Sequence, residues 1–244
     1  MRYAIISDIH SNLEAFTAIL NDIEIMNVDE TVCLGDVVGY NANPNKCVDL
    51  IKERDIKTVM GNHDRVAAGS GEPVGFNHAA REAVLWTRER LTEENKQFLL
   101  NLPLSLDVDG KFLMVHGSVD STDDYIFNRQ DVVQNFRLLK ELGTDKLCFF
   151  GHTHIPAAYT SNWGKVLAHR VKDFFMDSVT YYMINPGSVG QPRDGDARAA
   201  YVLYDSKRRH ISFHWLDYEV DLASRKDREA GLPIAVAERL KRGV

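Results

Sequence analysis

Five short motifs carry most of the side chains in this sequence that can ligate a metal. They are Asp8-Ile9-His10, Gly35-Asp36, Gly61-Asn62-His63-Asp64, His116-Gly117 and Gly151-His152-Thr153-His154, and five of the nine histidines fall within them. Carboxylate and amide oxygens mixed with imidazole nitrogens suit first-row transition ions, whereas calcium takes oxygen sets and structural zinc takes Cys-rich ones. Each motif alone also has a plain structural reading. Asp-x-His fits a turn and a helix start, Gly-Asp fits a loop, and Gly-Asn-His-Asp is rich in turn formers. A lone His116 reads as a hydrogen-bonded, half-buried histidine. Gly-His-Thr-His is the most specific of the five, since His152 and His154 are two apart and leave a strand on related sides. The set is distinguished by where its members fall: each follows an apolar, strand-like run.

Those runs set the architecture. Tyr3 to Ser7 is short, apolar and β-branched, and it reads as a buried strand. Ser11-Asn12-Leu13-Glu14 matches a capping box, which predicts a helix to about Met26 with Leu13, Phe16, Ile19, Leu20 and Ile23 on one face. A strand at Thr31 to Leu34, a helix from Pro44 through Glu53 and a strand at Ile56 to Met60 follow. This order is that of an α/β sheet with crossover helices. Further helices are expected over Asn77–Arg90, Thr92–Leu102 and Asp131–Glu141, and Leu104–Asp107 and Lys111–Val115 flank a hairpin turn at Asp109-Gly110. Strands are expected at Leu147–Phe150, Tyr181–Ile184, Ala199–Tyr204 and His210–Trp215, ahead of a charged, helical C-terminal stretch. Two packed sheets with helices outside accommodate this count. With no internal repeat or Gly/Ser-rich linker, residues 1–244 read as one domain. Open α/β sheets bind ligands at the carboxyl ends of their strands, so five strand ends can bring the five motifs to one point.

Composition narrows the partners. With 29 Lys+Arg against 35 Asp+Glu the formal charge is −6, which argues against general nucleic-acid binding. The longest apolar run, Ala199 to Tyr204, is far short of the ~18 residues of a membrane span. No membrane partner is therefore expected. Met1-Arg2 leads into a brief apolar stretch and then Ser7-Asp8, which is not a secretory signal. Cys33 and Cys148 lie inside apolar runs, so the three cysteines read as buried free thiols and the location as cytoplasmic. His78, His169, His210 and His214 match no motif and read as surface or packing residues, and Phe174-Phe175-Met176 reads as core. Metal cations held by the five motifs would offset part of the acidic surplus, so the charge does not exclude an anionic substrate.

In this order the five motifs resemble the signature of the calcineurin-like metallophosphoesterase superfamily, over a region from Asp8 to His154. The stretch Asn185-Pro-Gly-Ser-Val-Gly-Gln-Pro-Arg193 is similar to the small stand-alone bacterial members. The resemblance implies an α/β fold, a four-layer α/β/β/α sandwich of two mixed sheets with a dinuclear metal centre at the strand ends. It implies that Asp8, His10, Asp36 and His154 hold one metal, and that Asp36, Asn62, His116 and His152 hold the second, with Asp36 bridging. The cofactors implied are two divalent transition-metal ions, Mn, Fe, Zn or Ni, among which availability decides.

The resemblance also implies hydrolysis of phosphate esters by in-line attack of a metal-bridging hydroxide, with no covalent intermediate. Two metals about 3.5–4 Å apart acidify the water and clamp phosphate oxygens. His63 would face the leaving group as general acid or charge stabiliser, with Asp64 holding its tautomer. Arg193 is a candidate phosphate contact, and a tight loop between strands explains its segment equally well. Asn12 is a candidate pocket residue, and helix capping explains it equally well. Protein phosphatases of the superfamily extend Gly-Asp with an Asp-Arg pair, whereas here Gly35-Asp36 continues Val37-Val38-Gly39-Tyr40. This weakens the phosphoprotein and dinucleoside-polyphosphate readings, and the likeness to the small members favours phosphodiesters of small or nucleotide-like substrates. The alternative of another class is a non-catalytic metal-binding scaffold for protein contacts.

Overall fold

A strand whose side chains are apolar on both sides needs cover on both faces. β1 (Arg2–Ile6) is such a strand: Tyr3 and Ile5 point into one buried cluster, Ala4 and Ile6 into another. In the computed structural model, which describes residues 1–143 and 146–244, β1 is followed by α1 (Leu13–Ile25), β2 (Glu30–Cys33), α2 (Pro44–Glu53), β3 (Lys57–Thr58), α3 (Asn62–Ala67), α4 (His78–Arg90) and α5 (Glu93–Leu100). Then come β4 (Ser105–Val108), β5 (Phe112–Val115), α6 (Arg129–Leu142), β6 (Leu147–Phe149), β7 (Ala157–Asn162) and β8 (Lys165–His169). The chain closes with β9 (Phe174–Phe175), β10 (Tyr181–Asn185), β11 (Ala199–Asp205), β12 (His210–Leu216), α7 (Val220–Glu229) and α8 (Ile234–Leu240).

The described strands form two six-stranded sheets, ordered β3-β2-β1-β11-β12-β9 and β4-β5-β6-β10-β7-β8. Both are mixed. In the first, β1, β2 and β3 are parallel while β11 runs antiparallel to β1; in the second, β5, β6 and β10 are parallel while β4 and β7 are antiparallel. Tyr3, Ile5, Val32, Phe112, Phe149, Ile184 and Val202 fill the space between the sheets. Ala4, Ile6, Cys33 and Leu203 face α1 and α2 on one outside, and Leu113, Val115, Cys148 and Met183 face Val132, Phe136 and Leu139 of α6 on the other. Helix, sheet, sheet, helix is the layering expected. All three cysteines are buried and free, and no helix among the described residues is long and apolar enough to cross a membrane.

Three local readings of the sequence are corrected. The cap of α1 is Asn12, whose side chain accepts from the Ala15 N–H, and Ser11 instead sits at φ +60°. That left-handed backbone is incompatible with the extended N-cap conformation the Ser11 capping box requires. The turn-like Asn62-His63-Asp64 run continues as the short helix α3, which apolar periodicity is too brief to reveal. Of the Phe174 cluster only Met176 is buried, because β9 is an edge strand that leaves Phe175 exposed.

The C-terminal helices brace the loop after β2. Asp227 of α7 is 1% exposed and accepts from the Ala42 N–H, while its other oxygen has no partner. Burial pushes this carboxyl up to about 8, against ~3.9 in an unfolded chain. A raised acid keeps its proton in the fold, so stability is full below pH ~4 and falls as the pH climbs toward the folded value. Asp227→Asn keeps the acceptor and removes the titration. Its melting temperature is expected to exceed that of the wild type by roughly 3–8 °C at pH 8 and by far less at pH 5. A difference independent of pH in circular-dichroism melts would reject this account of Asp227.

Candidate metal centre

The motifs converge because they leave neighbouring parallel strands at the same end. Asp8 and His10 follow β1, Asp36 follows β2, Asn62 and His63 follow β3, His116 follows β5, and His152 and His154 follow β6. Backbone hydrogen bonds stitch these loops together: Asp8 N–H to Gly35 O (3.0 Å), His10 N–H to Asp36 O (2.9 Å) and Gly151 N–H to His116 O (2.7 Å). The turns are tight. Of the twelve described non-glycine residues with positive φ, seven lie in these loops: Asp8, His10, Ser11, Asp36, Tyr40, His152 and His154. Each such residue costs on the order of 1–2 kcal/mol, and strain gathered in this way marks a functional site. Close approach also matters, since a Cβ on Gly61 would lie 2.0 Å from Asp36 Oδ1.

The ligand atoms of Asp8, His10, Asp36 and His154 all lie within 4.8 Å of one another, as do those of Asp36, His116 and His152. All six residues are buried. Asn62 joins the second group, its Oδ1 3.2 Å from His116 Nε2. The structure thus brings together all seven residues expected to hold metal, with Asp36 common to both groups.

The donor atoms fit cations. One oxygen of each aspartate is tied to backbone, Asp8 Oδ2 to the His152 N–H (3.2 Å) and Asp36 Oδ1 to the His63 N–H (2.9 Å). The other oxygens, Asp8 Oδ1 and Asp36 Oδ2, are buried without a hydrogen bond, and Asp36 Oδ2 lies 3.3 Å from His116 Nε2 and 3.5 Å from His10 Nε2. The imidazoles are anchored in the same manner. Nδ1 of His10, His116 and His154 faces the carbonyl of Val38, Leu34 and Gln191, and Nε2 of His152 faces that of Asp123. A ring nitrogen donating to a carbonyl leaves the other nitrogen as a lone pair. The Nε2 atoms of His10 and His154 consequently face each other at 3.1 Å, beside Asp8 Oδ1 at 3.8 and 3.4 Å. Lone pairs and carboxylate oxygens crowded this closely repel unless positive charge sits among them.

Protonation follows the same logic. Burial holds His10 and His154 well below the ordinary imidazole range and lowers His152 to about 3, so these rings are neutral. Although burial opposes it, the Asp36 carboxylate raises His116 to about 9. In turn His116 and His63 hold Asp36 well below the carboxylate range against its own burial. Burial and the Asp36 charge, set against His116, push Asp8 up to about 7. A proton on His116 supplies positive charge that divalent ions would displace.

A cleft of about 200 Å³ opens onto the centre, lined by Asn62, His63 and His152 together with Tyr40, Phe76, Tyr125 and Arg193. A larger hollow of about 670 Å³ lies beside α6 and is lined by Asp120, Asp124 and Asp131. It holds none of the ligand residues, and its acidity suits no anionic substrate. The His63 ring packs among Phe76, His10 and Tyr40 at 4.5, 4.8 and 4.8 Å between centroids. Gly39, at φ +102°, makes room for it: a Cβ there would lie 2.4 Å from His63 Nδ1.

Two expectations fail here. Asp64 does not orient His63. Its oxygens accept from the backbone N–H groups of Val38 (3.0 Å) and Gly61 (3.1 Å), because the third residue of a helix reaches back to the cap. Asn12 does not line the cleft: it is fully buried, caps α1, and donates to Gly190 O and the Tyr218 hydroxyl. Arg193 does reach the cleft. Tyr40 and Phe76 line it too, and only three-dimensional packing reveals them, since aromatic residues in loops carry no spacing signal.

Residues 1–209 match the family described as the calcineurin-like phosphoesterase superfamily domain. An uncharacterized protein of Methanocaldococcus jannaschii is 40% identical over 243 residues, covering 97% of this chain and 96% of the relative. A metallophosphoesterase from Sphaerobacter thermophilus has a TM-score of 0.87 at 38% identity, covering 100% of this chain and 99% of that one. A hypothetical protein from Pyrococcus horikoshii OT3 shares the fold, with a TM-score of 0.81 at 22% identity over 100% of this chain and 98% of its own.

Proposed function

The chain belongs to the calcineurin-like phosphoesterase superfamily, and from that premise we propose that it is a metal-dependent phosphoesterase acting on phosphodiesters of small or nucleotide-like substrates. One observation carries the reading. Two ligand groups share Asp36, and each keeps unsatisfied donor atoms beneath a cleft that His63 lines. Asp8, His10, Asp36 and His154 would hold one divalent ion, and Asp36, Asn62, His116 and His152 the other. Such a pair supplies Lewis acidity to the phosphate and activates the attacking water.

The rest of the work falls to the chain. Carbonyls behind the four imidazoles fix their tautomers and aim. His63, lowered to about 4 first by burial and then by the charge of Arg193, against Asp36, is neutral near pH 7. Its Nδ1 has no acceptor, which favours the proton on Nε2. A neutral ring of that tautomer donates a hydrogen bond to a leaving oxygen as charge develops there. Arg193 in the cleft wall adds positive charge for a phosphate. We read residues 1–244 as one such unit.

The test is hydrolysis of bis(p-nitrophenyl) phosphate and p-nitrophenyl phosphate with Mn, Ni, Mg or Zn added. Turnover of the diester above the monoester is expected. Turnover of neither ester with any ion would replace this reading with the binding-scaffold one, and a strong monoester preference would overturn the diesterase assignment.

A further inference from the structure

Two arginines meet at Tyr40, one of the residues that line the cleft. Arg193, whose N–H bonds to His154 O, donates from Nη2 to the Tyr40 hydroxyl at 3.0 Å. Arg239 of α8 hydrogen-bonds the same tyrosine, and its Nε donates to Val244 O. Among the described residues neither guanidinium pairs with an acidic side chain. Burial and the neighbouring charge of Arg193 both lower the Arg239 guanidinium, so the cations are close enough to oppose each other.

The surrounding donors lack acceptors as well. Arg193 Nε is buried without a partner, and so is Nε2 of Gln191, a residue 1% exposed whose Oε1 lies 3.4 Å from Arg193 Nη2. Buried donors left open are rare, because each carries a desolvation penalty. Two guanidiniums gathered on one phenol, with an open Arg193 Nε and an open Gln191 amide beside them, suit a ligand that only accepts hydrogen bonds and carries negative charge. Tyr40 holds the place in strained backbone at φ +50°, with its ring 4.7 Å from His10 and 4.8 Å from His63. The fold supports it from behind: Tyr40 packs with Ala80 of α4 and with Leu232 and Val236 at the C-terminal helices. Arg239 lies outside residues 1–209, which carry the family match.

We propose that Arg193, Arg239, Gln191 and Tyr40 form a second anion subsite beside the metal centre, which binds a further phosphate on the ester being hydrolysed. The proposal rests on the phosphoesterase reading for its substrate, and on the side chains alone for the subsite. The preferred substrate is then a phosphate ester whose retained alcohol bears another phosphate.

The experiment compares thymidine 3′-(p-nitrophenyl phosphate) with and without a 5′-phosphate, using the metal-loaded wild type, Arg239→Gln and Arg239→Lys. The wild type is expected to favour the 5′-phosphorylated ester by ~10-fold or more in kcat/KM, through KM. Arg239→Gln should bring that ratio to within about twofold, with Arg239→Lys between. A ratio near one in the wild type, or an unchanged ratio in Arg239→Gln, overturns the subsite. If neither ester is hydrolysed, the hydrolase reading fails, and the subsite is judged by 31P line broadening of inorganic phosphate on the metal-free full-length chain. Broadening by the wild type that Arg239→Gln and Arg193→Gln abolish supports it. Equal broadening by all three, or by none, rejects it.

Discussion

Asp36→Asn is expected to fold, to retain neither divalent ion through gel filtration, and to lose at least ~10³-fold in diester turnover. Asp36 is the one side chain common to both ligand groups. Its Oδ1 accepts from the His63 N–H, a role asparagine can fill, while the orphaned Oδ2 and the negative charge cannot be replaced. Removing that charge also deprives His116 of the partner that raises it to about 9. Metal analysis of the purified variant against its near-ultraviolet circular dichroism separates loss of ions from loss of fold. Two ions per folded chain, or turnover within tenfold of wild type, would contradict the bridging role.

His63→Ala should behave in the opposite way, keeping its ions and losing roughly 10²–10⁴ in rate. The side chain belongs to neither ligand group, and its contacts are rings and the Gly39 backbone. Because burial lowers its pKa to about 4, the neutral form persists from there upward. Wild-type turnover should therefore show no step from His63 between pH 5 and 8. Lost metal would make His63 structural, and unchanged turnover would remove it from the chemistry.

Much of this was legible because ligation and strand ends impose residue types at fixed places. β1, β5 and β6 are largely apolar runs short enough to be strands, β2 turns apolar at its end, and the seven ligand residues lie in the loops that follow strands, Asn62 where its loop enters α3. The missed parts depend on partners distant in sequence. Asp64 has the composition of a histidine orienter, but its oxygens belong to the Val38 and Gly61 backbone. Nothing in Ser11-Asn12 reveals that Ser11 turns left-handed to meet Val37 O, which moves the cap one residue on. The meeting of Arg239 with Tyr40 joins residues far apart in the chain through the packing of α8.

The placement of β11 beside β1 has a consequence in time. Residues 2–5 pair with 205–202, and the Ser7 and Asp8 carbonyls accept from the Val189 and Gly190 N–H groups. A ribosome releases Asp8, His10 and Asp36 long before it makes those struts, so until then the left-handed turns that aim the ligands rest on the bonds between the loops after β1 and β2 alone. Until His152 and His154 are made, the growing chain also lacks part of both ligand groups. The complete set of donors, held in place from both sides, is therefore a property of the nearly finished chain.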